Sequence, residues 1–146
     1  MAKRILIVDD DPEVVELLQV ILTGAGYTTL TVSTGEEALT KAQQSTPDLI
    51  ILDLLLPEAN GFTVCEHLRR HPATASVPIM ILTGLPGELP RLAAGEAGAD
   101  AYVRKPFEIQ ELVSQVAALL LQSQPFPSAS WRGDNWAPPG ILKHAV

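Results

Sequence analysis

Cysteine is almost missing from this chain. Cys65 is the only one in 146 residues, so no intrachain disulfide can form. It sits in a helical pattern among apolar neighbours, which reads as a small buried hydrophobe rather than a reactive thiol. Positive charge is scarce as well. Ten Lys and Arg face 17 Asp and Glu, for a net charge of −7 and a pI near 4.8. That balance argues against direct binding of nucleic acid, which calls for a basic patch. The one tight basic group, Arg69-Arg70-His71, reads as a solvated helix end. Long apolar runs are lacking too, since none approaches the roughly 20 residues of a membrane span. The start Met1-Ala2-Lys3-Arg4 is followed by only four apolar residues and then three aspartates, so it is not a secretory signal. The expectation is a cytoplasmic protein that does not enter a membrane.

What is present is a set of short apolar runs, each halted by a polar residue. Ile5-Leu6-Ile7-Val8 stops at Asp9-Asp10-Asp11, and Leu49-Ile50-Ile51-Leu52 stops at Asp53. Pro78-Ile79-Met80-Ile81-Leu82 stops at Thr83, and Ala101-Tyr102-Val103-Arg104 meets Lys105. Continuous runs of this length suit strands buried on both faces, as in a parallel sheet covered by helices. Ligands of such sheets bind just beyond the carboxyl ends of the strands. The pattern therefore brings carboxylates, a hydroxyl and an ammonium to one sheet edge.

Strand and helix patterns alternate five times, which predicts an α/β, doubly wound parallel sheet in one domain spanning residues 1–122. Strands are expected near 4–9, 27–32, 49–53, 78–83 and 100–104. Helix one is expected over 12–25, with Val14, Leu17, Leu18, Ile21 and Leu22 on its inner face. Helix two runs to about Gln44 and opens on one of two overlapping capping boxes, Ser33 with Glu36 or Thr34 with Glu37. Helix three covers about 62–70, after a loop holding Pro57, Asn60 and Gly61. Helix four must fit between Gly87 and Ala97 around Pro90 and Gly95, so it should be short and readily displaced. Helix five covers 108–122 and carries two apolar stripes. Leu112, Val116 and Leu119 form one; Val113, Ala117, Leu120 and Leu121 form the other. Residues 123–146 hold Pro125, Pro127, Pro138, Pro139, Trp131 and Trp136, and read as a C-terminal tail or linker stub. Arg132-Gly133-Asp134 within it reads as turn chemistry.

The strand-end residues differ in what they can do. Asp11 precedes Pro12, which fits the N-cap of helix one. Asp9 and Asp10 have no such structural duty. Adjacent carboxylates repel and raise one another's pKa, and a bound cation relieves this. Mg²⁺ suits a site with few protein oxygens, because water and phosphate complete its octahedron. Asp53 beside such a cation would stay ionised, as a carboxylate nucleophile toward phosphorus must. Lys105 can neutralise a phosphoryl oxygen as a point charge. Thr83 can donate one hydrogen bond to it, and Gly84 leaves room for approach.

Four segments together resemble the receiver domain of two-component response regulators: Ile5 to Pro12 (ILIVDDDP), Pro47 to Phe62 (PDLIILDLLLPEANGF), Val77 to Gly84 (VPIMILTG) and Gly98 to Phe107 (GADAYVRKPF). The resemblance runs in register from residue 4 to about 122. It implies a flavodoxin-like (βα)5 three-layer sandwich with strand order 2-1-3-4-5. It implies that Asp53 accepts a phosphoryl group from a sensor histidine kinase, a phosphotransfer protein or a small phosphodonor. Asp9, Asp10, Asp53 and the backbone carbonyl of Leu55 would hold Mg²⁺, with Mn²⁺ as a substitute. Thr83 and Lys105 would contact the phosphoryl group, Tyr102 would be the switch aromatic, and the Lys105–Pro106 bond would be cis. The plain alternative for Tyr102 is a half-buried strand aromatic with a wet hydroxyl.

Some positions depart from the usual receiver pattern. The loop Gly84-Leu85-Pro86-Gly87 is rich in Gly and Pro, which bears on how far it moves. Leu55 and Leu85 lie two residues past Asp53 and Thr83, and neither can orient an attacking water, which implies slow loss of the phosphoryl group. The second stripe of helix five could serve pairing through the face of helices four and five, or be covered by the tryptophan-bearing tail. The resemblance thus describes a signalling switch with no output domain in this chain, acting only on its own phosphorylation and dephosphorylation. The alternative is a metal-dependent phosphatase-like enzyme with an aspartyl nucleophile. A haloacid-dehalogenase-type phosphatase would want a second aspartate where Leu55 stands, and a nucleotide-binding protein a Gly-rich loop where Asp9-Asp10-Asp11-Pro12 stands. A degenerate receiver, kept only as a scaffold, would not retain every chemical position.

Overall fold

The computed structural model describes residues 2–122. The proposed tail, with Trp131 and Trp136, lies outside the described residues. Five strands, β1 (Arg4–Val8), β2 (Thr28–Val32), β3 (Leu49–Leu52), β4 (Ile79–Thr83) and β5 (Ala101–Arg104), form one sheet in the order β2-β1-β3-β4-β5. Every pairing is parallel, with Ile5 opposite Thr29 and Leu49, Ile50 opposite Ile79, and Met80 opposite Ala101. The helices α1 (Pro12–Gly24), α2 (Gly35–Ser45), α3 (Gly61–Arg70) and α4 (Leu89–Ala97) fill the four crossovers, and α5 (Ile109–Leu121) follows β5. This is the expected doubly wound (βα)5 sandwich. Among the described residues, no helix is long and apolar enough to cross a membrane.

The alternation along each strand divides the core in two. Leu6, Val8, Ile50, Leu52, Ile79 and Ile81 face one side, where Ala38 and Ala42 of α2, Val64, Cys65 and Leu68 of α3, and Ala94 and Ala97 of α4 cover them. Ile5, Ile7, Leu49, Ile51, Met80 and Leu82 face the other, under Leu18 and Leu22 of α1 and Leu112, Val116 and Leu119 of α5. Burying both faces is what turns these strands into unbroken apolar runs. Cys65 is fully buried within the first layer.

Local signals fix where the helices start. Asp11 caps α1, accepting the Glu13 amide at 3.0 Å, with Pro12 in the first turn. Of the two candidate caps for α2, Thr34 is used: its hydroxyl accepts the Glu37 amide at 3.1 Å. The Glu37 carboxylate reaches back one residue further than the box geometry, to the Ser33 amide at 3.2 Å. Asn60 caps α3 through the Phe62 amide at 2.8 Å. The α4 helix begins without a side-chain cap, keeps Pro90 in its first turn, and ends at Gly98 with φ of 113°. A left-handed residue there is the usual way to close a helix.

Three expectations need correction. Arg69 is not a solvated helix end. Its side chain is only 12% exposed and pairs with the buried carboxylate of Asp100. Its Nε and Nη1 also donate to the carbonyls of Gly98 at 2.9 Å and Val77 at 2.6 Å. The last turn of α3 lies over the start of β4 and β5, so the guanidinium points inward; Arg70 does remain on the surface, 71% exposed. Leu17 is turned outward, and Val15 packs in its place beside Val14 and Ile21. The second stripe of α5 is not one open patch. Leu120 is buried, Val113 and Ala117 are half-buried, and Leu121 is exposed. Leu89 and Leu92 of α4 are exposed as well.

Candidate functional site

The site occupies the carboxyl edge of the sheet, one residue past the ends of β1, β3 and β5. Asp9 continues the ladder beyond β1, its amide donating to Val32 at 3.2 Å. Asp53 does the same beyond β3, donating to Val8 at 3.0 Å. Lys105 follows β5, and its amide donates to the carbonyl of Thr83 at 2.8 Å. The backbone of the sheet therefore holds all three side chains at their roots. The Lys105–Pro106 peptide is cis, as the resemblance implies.

The side chains meet in one cluster. Lys105 Nζ donates to Asp9 Oδ2 at 2.8 Å and to Asp53 Oδ2 at 3.2 Å. The second oxygen of each carboxylate accepts a nearby amide: Asp9 Oδ1 from Asp11 at 2.9 Å, and Asp53 Oδ1 from Leu55 at 3.1 Å. Asp9 and Asp53 are 3% and 5% exposed, whereas Asp10 faces solvent. Carboxylate oxygens of Asp9, Asp10 and Asp53 all lie within 4.8 Å of one another. Two buried carboxylates thus share one ammonium, with a third, exposed carboxylate beside them.

The electrostatics follow from that imbalance. Burial raises the Asp9 pKa, and the Lys105 and Asp11 hydrogen bonds do not cancel it, while the charge on Asp53 adds to the rise. Burial works against the Lys105 ammonium as well. There the Asp9 hydrogen bond and the charges of Asp53 and Asp9 outweigh it and hold the pKa above the ordinary value. One ammonium serving two buried carboxylates is itself well held and leaves Asp9 under-compensated. The chemistry of the set fits Mg²⁺: hard oxygens, excess negative charge, and an open side at Asp10 where the ion can keep water. A cleft of about 370 Å³ opens beside Asp9 and Asp10, walled by Pro12, Thr31, Ser33 and Glu37.

The remaining expected site residues are placed less directly. Thr83 is fully buried at the end of β4, and its hydroxyl accepts a long hydrogen bond from the Leu85 amide at 3.4 Å. Its link to the cluster is the backbone bond to Lys105. Leu55 is 56% exposed and enters the site through its amide on Asp53. The Tyr102 ring packs against the core layer under α2, α3 and α4, and its hydroxyl is buried without a hydrogen-bond partner among the described residues. The wet-hydroxyl alternative is therefore incorrect, and burial raises the phenol pKa. Gly61 was read only as part of a loop. It is the first residue of α3, it is buried, and its amide donates to the carbonyl of Leu54 at 3.1 Å.

An α/β/α sheet with an acidic pocket and one lysine at its carboxyl edge is the architecture of CheY-like receivers. Sequence and structure comparisons agree. The model of the response regulator receiver domain matches residues 5–117, and the chain belongs to this family of two-component signalling proteins. It is 42% identical over 127 residues to the DNA-binding dual master transcriptional regulator RpaA of Synechocystis sp., covering 87% of this chain and 53% of that protein. It is 42% identical over 136 residues to the alkaline phosphatase synthesis transcriptional regulatory protein PhoP of Bacillus subtilis, covering 92% of this chain and 56% of that one. The chain thus spans little more than half the length of these relatives. Among solved structures, a putative response regulator from Chloroflexus aurantiacus aligns with a TM-score of 0.80 at 44% identity, over 83% of this chain and 99% of that one. A CheY-like receiver domain protein from Methanospirillum hungatei aligns at 0.79 and 28% identity, over 84% and 97%.

Proposed function

We propose that the protein is a phosphorylation switch in which Asp53 accepts a phosphoryl group from the phosphohistidine of a sensor kinase or phosphotransfer protein. The observation that carries this reading is the buried Asp53 carboxylate, oriented by the Leu55 amide and the Lys105 ammonium inside a cluster short of positive charge. Asp9, Asp10, Asp53 and the carbonyl of Leu55 would hold Mg²⁺, or Mn²⁺ in its place. The bound ion would offset the carboxylate charge and that of a phosphoryl oxygen.

A carboxylate oxygen of Asp53 attacks phosphorus, the P–N bond breaks, and the departing imidazole nitrogen keeps the electron pair and takes up a proton. The product is an acyl phosphate on Asp53. Lys105 then has a phosphoryl oxygen within reach as well as two carboxylates, and Thr83 turns its hydroxyl from the Leu85 amide to the new acceptor. That hydrogen bond pulls on the loop before α4, whose first turn has no side-chain cap to resist it. Tyr102 and the face of α4, β5 and α5 respond, shifting an existing equilibrium toward a form read by a partner or a second copy of the chain. Leu89 and Leu92 supply exposed apolar surface on that face. We assign the protein to the cytoplasm.

The test is incubation with acetyl phosphate and Mg²⁺ followed by intact mass. One phosphoryl addition is expected on the native chain, none on Asp53→Asn, and none when Mg²⁺ is chelated. No addition to the native chain, or equal addition to both, refutes the reading.

A further inference from the structure

Two buried glycines near the site stand where a side chain cannot go. A Cβ on Gly35, at the start of α2, would lie 2.7 Å from Ala59 Cβ and 2.8 Å from Val64 Cγ2. Its neighbours are side-chain atoms. A Cβ on Gly61 would lie 2.5 Å from Leu54 Cα, 2.7 Å from the Asp53 carbonyl oxygen and 3.1 Å from the Leu54 carbonyl carbon. Those neighbours are all backbone, and they belong to the peptide that leaves the proposed phosphoacceptor. Gly61 is not among the residues with positive φ, so space rather than conformation demands glycine there.

The surroundings make this contact rigid. The Gly61 amide donates to the carbonyl of Leu54, and Leu55 and Asn60 form an antiparallel bridge across the loop. Residues 53–61 therefore close on themselves. Behind Gly61, α3 is locked into the core by Val64, Cys65 and Leu68. The start of α3 is a fixed stop against which the Asp53–Leu54 peptide rests. That peptide sets the direction of the Asp53 side chain. It also sets the place of Leu55, whose amide holds Asp53 Oδ1 and whose carbonyl is the fourth proposed metal ligand.

We propose that Gly61 is a positioning residue for the phosphoacceptor loop: the absent side chain sets the position of Asp53 and of the Leu55 carbonyl together. The inference rests on the functional reading above. A methyl group at this position must push the loop by an ångström or so, a displacement that typically costs a positioned reaction about 10²-fold.

The test compares Gly61→Ala with Gly35→Ala in the full chain. Three quantities are read: Mg²⁺ affinity by calorimetry without any phosphodonor, the rate of phosphorylation by acetyl phosphate at saturating Mg²⁺, and the urea midpoint. Both variants should lose stability. Only Gly61→Ala should weaken Mg²⁺ binding, by about tenfold or more, and slow phosphorylation by about 10²-fold. Gly35→Ala should keep both within about twofold of native, as an equal clash against side chains would. Equal losses in the two variants, or a Gly61→Ala chain within twofold of native, overturn the proposal. Should Gly61→Ala not fold, amide shifts of the native chain decide. The Gly61 and Leu54 amides should titrate with Mg²⁺ alongside Asp10 and Asp53, and their indifference overturns the proposal. A native chain that binds no Mg²⁺ refutes the functional reading itself, a result distinct from native binding that Gly61→Ala leaves intact.

Discussion

The two edges of this sheet both bury charge, and they handle it in opposite ways. At the amino edge, the buried carboxylate of Asp100 meets the guanidinium of Arg69. Asp100 Oδ2, at the start of β5, accepts from Arg69 and from the Ile79 amide at 2.8 Å. Arg69 spends its other donors on the carbonyls of Gly98, Val77 and Ala75. At the carboxyl edge, Lys105 pairs with Asp9 and Asp53, and a third carboxylate, Asp10, stands beside them. A balanced, fully bonded ion pair fastens elements together, whereas an excess of one sign in a partly dry pocket marks a place for a ligand. The helix α4 spans the difference. Its carboxyl end is tied through Gly98 to Arg69, while its amino end, at the carboxyl edge of the sheet, has no side-chain cap. On the proposed function, the tied end would anchor the helix and the uncapped end would be the one that moves.

The contrast is broken most severely at the amino edge. Arg69→Met leaves the buried Asp100 carboxylate without its guanidinium, and losses of this kind run to about 3–5 kcal/mol. Urea unfolding should show it as a large fall in midpoint. Added Mg²⁺ should not restore the loss, and the Mg²⁺ affinity of the folded fraction should match native. A small loss would mean that the two edges are energetically alike.

How the two edges appear in the sequence differs as much as their chemistry. The carboxyl edge was legible, because both-face burial makes apolar runs and each run ends on a residue whose polarity the core cannot explain. Asp9, Asp10, Asp53, Thr83 and Lys105 were all found at those ends. The amino edge was not. Arg69 looks like any basic residue in a last helical turn, and only the docking of α3 over β4 and β5 turns it inward. The available signal was Asp100, an acid directly before a buried strand. Gly61 was missed for a similar reason, since its neighbours Asp53 and Leu54 lie seven or eight positions earlier in the chain. Leu17 was assigned to the wrong side because several apolar residues of α1 crowd the boundary between faces, and packing chose Val15. Tyr102 was correctly placed on β5, but the side to which its hydroxyl turns depends on contacts that strand periodicity does not encode.

A second substitution sharpens the contrast from the other side. Lys105→Met removes the one cation from the acidic cluster. Hydrogen bonds between charged groups contribute about 1.5–3 kcal/mol, so stability in the absence of metal should fall by roughly that much. Here Mg²⁺ should restore much of the loss, since a ligand that binds only the folded state stabilises it by mass action. Urea midpoints with and without Mg²⁺, measured on Lys105→Met and Arg69→Met side by side, check this. Rescue at both edges or at neither would erase the distinction between a ligand site and a fastener.

The smallest expected effect concerns Tyr102, on the edge strand between the two charged clusters. Its hydroxyl is buried without a partner among the described residues, and an unsatisfied buried polar group costs about 1–3 kcal/mol. Tyr102→Phe should therefore raise stability at neutral pH, by about 1 kcal/mol once some relaxation is allowed. The pH dependence gives an independent check. Burial raises the phenol pKa in the folded protein above the ordinary tyrosine value of 10.0. Between the unfolded and folded values the native state holds a proton that the unfolded state has lost, so stability falls as pH rises through that window. The contribution is intact below about pH 10 and disappears above it. Tyr102→Phe should flatten the alkaline limb of the stability curve and leave the acid limb unchanged. An unaltered alkaline limb, or a loss of stability at neutral pH, would show that the hydroxyl finds a partner in solution. Tyr102 would then be held as firmly as the amino edge rather than being free to follow the Thr83 loop.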